Sequence, residues 1–141
     1  MTRIDFHSKV ADRIAYACRL TRKARAANCQ VVLLTRDRRD LMALDQALWT
    51  FAEQEFLPHV LAGDPLAAST PIILTDSAEA ALPHHQVLVN LSAGTPAHFA
   101  RFERMIEIVS ADEADIAAGR ARYRFYQQRG YPLTHFEADK A

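Results

Sequence analysis

Glycine is scarce in this chain of 141 residues: there are four, Gly63, Gly94, Gly119 and Gly130. None follows a strand-like run in a G-x-G-x-x-G or G-x-x-x-x-G-K arrangement. A backbone loop that cradles a pyrophosphate needs those glycines, so a nucleotide-binding enzyme is not indicated. Excess charge is missing as well, because 17 Lys and Arg balance 17 Asp and Glu. Proteins that grip the phosphate backbone directly are basic as a rule, and strong direct DNA binding is therefore not expected. Cysteine is limited to Cys18 and Cys29, at no zinc or redox spacing. With no signal peptide ahead of them, they suggest a reducing, cytoplasmic setting. No apolar run approaches the ~20 residues needed to cross a bilayer. Internal repeats, low-complexity tracts and interdomain linkers are absent too, and the length suits a single domain over residues 1–141.

What is present is an alternation of strand and helix patterns. "RIDFHSKV" alternates, with Ile4, Phe6 and Ser8 on one face, and reads as a first strand. "ADRIAYACRLTRKARAAN" follows as a helix whose apolar stripe is Val10, Ile14, Ala17, Cys18 and Ala24, with Asn28 as its stop. "QVVLLT", "PIILTD", "QVLVNLS" and the shorter "RMIEIVS" are apolar runs of the kind seen in strands buried on both faces. "DRRDLMALDQALWTF" is helical, with Leu41, Leu44, Leu48 and Phe51 on one side. "TPAHFARFE" reads as a short helix capped near Thr95 with Pro96 at its first position. Residues 63–71, "GDPLAASTP", form the longest irregular segment. The expected fold is α/β: one mostly parallel sheet with helices on both faces, Rossmann-like but without a nucleotide-binding loop.

Sheets of this kind place their chemistry at strand C-termini. Thr35, Asp37, Asp76, Ser77, Asn90 and Ser92 all fall there, which leaves a small phosphatase-like hydrolase as the alternative function. The plainer account is that Asp, Ser and Thr cap the helices that follow. Asp5 and His7 share a strand face and His84 and His85 share a loop, but neither pair has a third ligand at metal spacing, so no metal site is expected.

The densest chemistry is "RARYRFYQQRGY", with four arginines and four aromatic rings between Arg120 and Tyr131. Arginine interleaved with aromatics suits single-stranded nucleic acid, and equally an acidic peptide tipped with an aromatic ring. In "SADEADIAAGRARYRFYQQRG", Ser110 and Glu113 form a capping box and Gly130 a left-handed stop. At 100° per residue, Ala114, Ala118, Ala121 and Phe125 form the stripe expected to meet the sheet. Ile116, Arg120, Tyr123, Arg124 and Gln127 lie opposite, an apolar strip rimmed by guanidinium groups that resembles a binding site. Arg122 and Arg129 fall on another flank and are expected to be solvated. Gly119 is costly in a helix interior, which hints at a close approach there.

The second helix carries a similar surplus. Met42 and Trp49 form a second apolar line, and Phe56, Leu57 and Pro58 follow in "EFLPHVLAG". A partner protein covering Trp49, Phe51, Phe56, Leu57 and Pro58 is one account; a lid in which Phe56 and Leu57 fold back on the core is the other.

"DQALWTF" and "EFLPHVLAG", taken with "ARYRFYQQRGY", resemble the chi subunits of bacterial DNA polymerase III, and "RIDFHSKVADRIAYACRL" extends the likeness over nearly the whole chain. The resemblance implies a non-catalytic α/β adaptor of the clamp-loader complex that works without a cofactor. It implies two partners: the psi subunit, and the acidic, phenylalanine-ended C-terminal tail of single-stranded-DNA-binding protein. Carried onto this sequence, the tail site is Val109, Arg120, Tyr123 and Arg124, with Ile116 beside them, and the psi surface is Trp49, Phe56, Leu57 and Pro58, with Phe51 adjacent. Gln127 departs from the basic residue often found one turn beyond the pocket, a difference that bears on the strength of tail binding.

Overall fold

The computed structural model describes residues 1–51 and 56–138. Seven strands lie in one sheet: β1 (Arg3–Val10), β2 (Val31–Thr35), β3 (His59–Leu61), β4 (Ile72–Thr75), β5 (Val87–Leu91), β6 (Arg104–Ser110) and β7 (Leu133–Glu137). Their spatial order is β3-β4-β2-β5-β6-β1-β7, and each neighbouring pair is parallel. Among the described residues three α-helices accompany the sheet: α1 (Arg13–Ala26), α2 (Arg38–Thr50) and α3 (Glu113–Gln128). No helix among the described residues is long and apolar enough to cross a membrane.

The two-residue period of the central strands divides the core in two. In β2, Val31 and Leu33 face a cluster that holds Ala17 of α1 and Leu41, Leu44 and Leu48 of α2. Val32 and Leu34 face the opposite way, into a cluster that includes Phe6, Leu88, Met105 and Tyr126 of α3. The helices therefore cover both faces, two on one side and one on the other, as the apolar strand runs imply. Asp12 and Asp37 cap α1 and α2 by accepting the backbone N–H of Ala15 and Asp40.

Both edge strands escape the sequence reading. β3 is three residues long, and β7 exposes Thr134, His135 and Phe136, so neither carries a buried apolar run. The segment 95–103 is not an α-helix; it forms a 3-10 turn at Phe99–Arg101, because Phe99 and Phe102 are both drawn into the core around Tyr126. A second 3-10 turn, Ala67–Ser69, lies inside the 63–71 segment. The cap of α3 is Asp112 rather than Ser110: its carboxylate accepts the N–H of Asp115 at 3.2 Å, and the Asp115 carboxylate accepts the N–H of Ser110 at 2.7 Å. Gly130, at φ +78°, ends the helix in the left-handed conformation expected of it.

The rotation of α3 differs most from expectation. Gly119, Arg122 and Tyr126 are its buried residues, whereas Ala114 and Ala121 are exposed. A β-carbon on Gly119 would lie 2.9 Å from Cγ2 of Val109, so the missing side chain lets α3 seat directly on β6. Replacing Gly119 with Ala is expected to lower stability by about 1–2 kcal/mol despite the gain in helix propensity, because the Val109 contact forces the helix outward. Adding Val109→Ala should recover part of that loss; urea unfolding of the three variants checks both statements.

Candidate functional site

α3 lies along β6 and stops short of the sheet edge, leaving a groove of about 650 Å³ between the helix on one side and β1 and β7 on the other. Its apolar lining comes from Phe6, Val109, Ile116, Gly119 and Tyr123. Tyr123 is half-buried and packs edge-on against Phe6, with ring centroids 5.1 Å apart. Ile116 is half-buried too, so both side chains border the inward face of α3 rather than standing opposite it as the helical angle implied. Val109, 5 % exposed, forms the floor. Arg120 and Arg124 are exposed at the mouth, one turn apart, and among the described residues neither guanidinium forms an ion pair. The five residues expected at one site thus do line one groove, with a hydrophobic bed and a cationic rim. Gln127 is exposed.

A buried polar cluster sets the angle at which α3 presents these residues. Glu107 sits in the middle of β6 with no exposure at all. Its carboxylate accepts hydrogen bonds from Arg122 Nε (3.1 Å), Tyr126 Oη (2.6 Å) and Asn90 Nδ2 (2.9 Å). Burial pushes the Glu107 carboxyl up, opposed chiefly by the Arg122 guanidinium and then by those hydrogen bonds. Burial and the adjacent carboxylate push the Tyr126 hydroxyl up as well. Arg122, expected in solvent, is 3 % exposed and also donates to the carbonyl of Ala93 at 3.0 Å. Arg129 is exposed, stacked over Phe125 at 3.5 Å. A legible signal existed: an acid in the middle of the strand "RMIEIVS" requires a cation nearby.

The second surface lies at the far edge of the sheet. Trp49 and Phe56 are 51 % and 72 % exposed, with ring centroids 5.9 Å apart. Trp49 also leans on His59 at 4.4 Å, and His59 is anchored through Nε2 to the Asp45 carboxylate at 3.3 Å and through Nδ1 to the Leu57 carbonyl at 2.6 Å. Leu57 is 8 % exposed and packs into the core, so the lid account holds for Leu57 alone, while Phe56 stays outside. Pro58 and Phe51 are half-buried, the latter beneath the Arg22 guanidinium at 5.9 Å. Glu55 of the same motif lies outside the described residues.

The polar residues at strand ends are engaged locally. Asp37 caps α2, Asp76 pairs with Arg38 at 3.3 Å, Ser77 accepts the N–H of Glu79, and Ser92 donates to Asn90 at 2.5 Å. Thr35 donates to the carbonyl of Asp37 at 3.1 Å. Asp5 is taken by Arg104 (2.7 Å) and Thr134, and His7 by Tyr16. Among the described residues no group of three or more His, Cys, Asp and Glu is placed to hold a metal ion.

Replacing Arg122 with Met should cost about 3–5 kcal/mol at neutral pH, because it strands a buried carboxylate. Without the guanidinium the folded-state pKa of Glu107 rises further above its unfolded value. A raised folded pKa means stability is lost as pH increases, so the deficit should shrink on acidification, where a protonated Glu107 needs no cation. Urea titrations at two pH values test the sign.

Comparison with known proteins bears on this arrangement. A family model described as "DNA polymerase III chi subunit, HolC" matches residues 1–134. The DNA polymerase III subunit chi of Pseudomonas aeruginosa is 36 % identical over 137 residues, covering 94 % of each chain. The corresponding subunit of Haemophilus influenzae is 26 % identical over 118 residues, covering 84 % of this chain and 82 % of its own. That of Escherichia coli is 22 % identical over 116 residues, covering 82 % and 79 %.

Proposed function

The chain belongs to the DNA polymerase III chi subunit family, and from that premise we propose that it is an adaptor joining the clamp-loader psi subunit to the acidic C-terminal tail of single-stranded-DNA-binding protein. Membership of the family gives it a role in DNA replication as an accessory rather than a catalytic subunit of the polymerase assembly. The observation that carries the finer reading is the groove beside α3, where an apolar bed formed by Val109, Ile116 and Tyr123 lies under two guanidinium groups that form no ion pair among the described residues. A peptide that ends in a phenyl ring and a carboxylate matches that chemistry on both counts. The ring takes the bed, and Arg120 and Arg124 take carboxylates.

Magnitudes fit a reversible contact. Burying the ring contributes roughly 1.5–3 kcal/mol. Each charge-assisted hydrogen bond adds about 1.5–3 kcal/mol where it is desolvated. Ordering a disordered tail removes several kcal/mol. The remainder corresponds to a dissociation constant on the order of micromolar. Such a contact weakens with salt, since the arginines sit at an open mouth.

The psi surface in this reading is the patch of Trp49 and Phe56, with Phe51 and Pro58 at its margins and Leu57 beneath them as core support. The two surfaces lie by opposite edge strands, β3 and β7. Six strand spacings separate those edges by roughly 29 Å. Both partners therefore have room to bind at once, as a bridge requires. Net neutrality suits a protein that reaches DNA through another protein rather than by itself.

Arg120→Ala should weaken binding of an acidic, phenylalanine-ended peptide at least tenfold, by a calibrated anisotropy titration, while leaving the melting temperature and psi binding in place. Unchanged peptide affinity would remove Arg120 from the site. Trp49→Ala should instead loosen psi by more than tenfold in a pull-down or calorimetric titration and spare the peptide. The reverse pattern would mean that the two surfaces are exchanged.

A further inference from the structure

We propose that Lys9, on the wall of the groove that faces α3, receives a carboxylate of the bound peptide, and that Glu137 occupies Lys9 until the peptide arrives. This rests on the groove being the tail site.

Lys9 reaches the groove by an irregularity in β1. Ile4 and Phe6 face the α3 side of the sheet, and His7 faces Tyr16 of α1. Strict alternation would send Lys9 toward α1 and Val10 toward α3. The opposite is found: Val10 packs in the cluster formed with α1 and α2, and Lys9 lines the groove together with Ser8. The pairing of β1 with β6 loses register between His7 and Val10, and Lys9 has φ +57°. The extra residue is a β-bulge, a device that re-aims a side chain.

The left-handed backbone is unfavourable for a residue with a β-carbon, and lysine is not among the residues that adopt it readily. Burial does not repay that cost, since the Lys9 side chain is 54 % exposed. Its ion pair with Glu137, at 3.4 Å, is of the solvent-exposed kind that contributes little to stability. The bulge also turns Val10 into the core at 1 % exposure, but Lys9, which carries the strained backbone, gains no burial from it, and strain of this kind clusters at functional positions. What the bulge achieves here is the delivery of an ammonium group to the wall opposite Arg120 and Arg124.

The charge balance of the groove agrees. Lys9, Arg120 and Arg124 are cationic, and Glu137 is the carboxylate among its lining residues. A peptide with a terminal carboxylate and acidic side chains upstream brings more than one negative group, and the α3 arginines stand on one wall alone. An ammonium is a point charge with three donors and no fixed fork, so it can exchange one carboxylate for another without a change in backbone. Glu137 then acts as an internal competitor: a peptide that lacks an acid at this position cannot displace it, and one that has it can. Lys9 adds a requirement for acidity upstream of the ring, separate from the terminal carboxylate.

The test is anisotropy titration of the full chain with a fluorescein-labelled acidic peptide ending in phenylalanine, using Lys9→Gln, Lys9→Gly, Glu137→Gln and Arg120→Ala. Lys9→Gly accommodates φ +57° without a β-carbon, so loss of binding there reports on the ammonium and not on misfolding. Both Lys9 variants should weaken binding about fivefold and reduce its salt dependence, and Glu137→Gln should strengthen it about twofold to threefold by releasing Lys9. A peptide with its upstream acids changed to amides should bind the wild type and the Lys9 variants alike. Wild-type affinity in both Lys9 variants, with Arg120→Ala still weakened, overturns the role of Lys9 and leaves the groove as the tail site. Wild-type affinity in Arg120→Ala as well overturns the tail-site reading itself. Weaker binding by Glu137→Gln overturns its role as competitor.

Discussion

A carboxylate buried without exposure in the middle of a central strand is expensive unless a cation and hydrogen-bond donors meet it, and Glu107 is such a carboxylate. α3 is the one helix on that face of the sheet among the described residues, so the cation comes from it. It supplies Arg122 and Tyr126, four residues apart on one side of the helix. That demand fixes the helical rotation. Once Arg122 and Tyr126 face inward, Gly119 falls against Val109, Ile116 and Tyr123 fall along the border of the interface, and Arg120 and Arg124 are left at the mouth of the groove. The groove is thus a by-product of how one buried charge is satisfied.

The same logic gives the groove a firm frame. Its bed is made of core-facing side chains held between strand and helix, with Tyr123 locked edge-on against Phe6. The long cationic side chains of Lys9, Arg120 and Arg124 are the exposed, adjustable part of its lining. The opposite edge uses a different device. Trp49 is kept at the surface by a buried histidine, His59, whose two ring nitrogens are both engaged, so the indole has a fixed platform while one side stays in solvent. Each edge of the sheet therefore carries an organised but uncovered apolar surface, which is the arrangement an adaptor needs.

Much of the architecture was legible in the residue pattern. The apolar strand runs are covered on both faces and the leucine stripe of α2 faces the core, and for such elements period and composition suffice. The edge strands β3 and β7 were not legible, because a strand with one hydrated side has no apolar run to betray it. The face of α3 was misread for a related reason: counting apolar residues put Ala114, Ala118, Ala121 and Phe125 against the sheet, whereas the true inward face contains a glycine and an arginine. Hydrophobic periodicity does not see a helix oriented by a charge.

The chain alone settled the fold class, the lack of a phosphate-cradling loop, and the neutrality that argues against direct DNA binding. These follow from composition and local pattern, which are properties of neighbours along the chain. Only the folded protein decided that Arg122 is interior while Arg120 and Arg124 stay exposed at the groove mouth, that Leu57 turns in while Phe56 turns out, and that a bulge swings Lys9 onto the same groove. Those outcomes depend on which distant groups a side chain meets: Glu107 for Arg122, the core beneath β3 for Leu57, and a register shift against β6 for Lys9. No local spacing encodes such meetings, because their energies come from long-range contacts and the desolvation they impose.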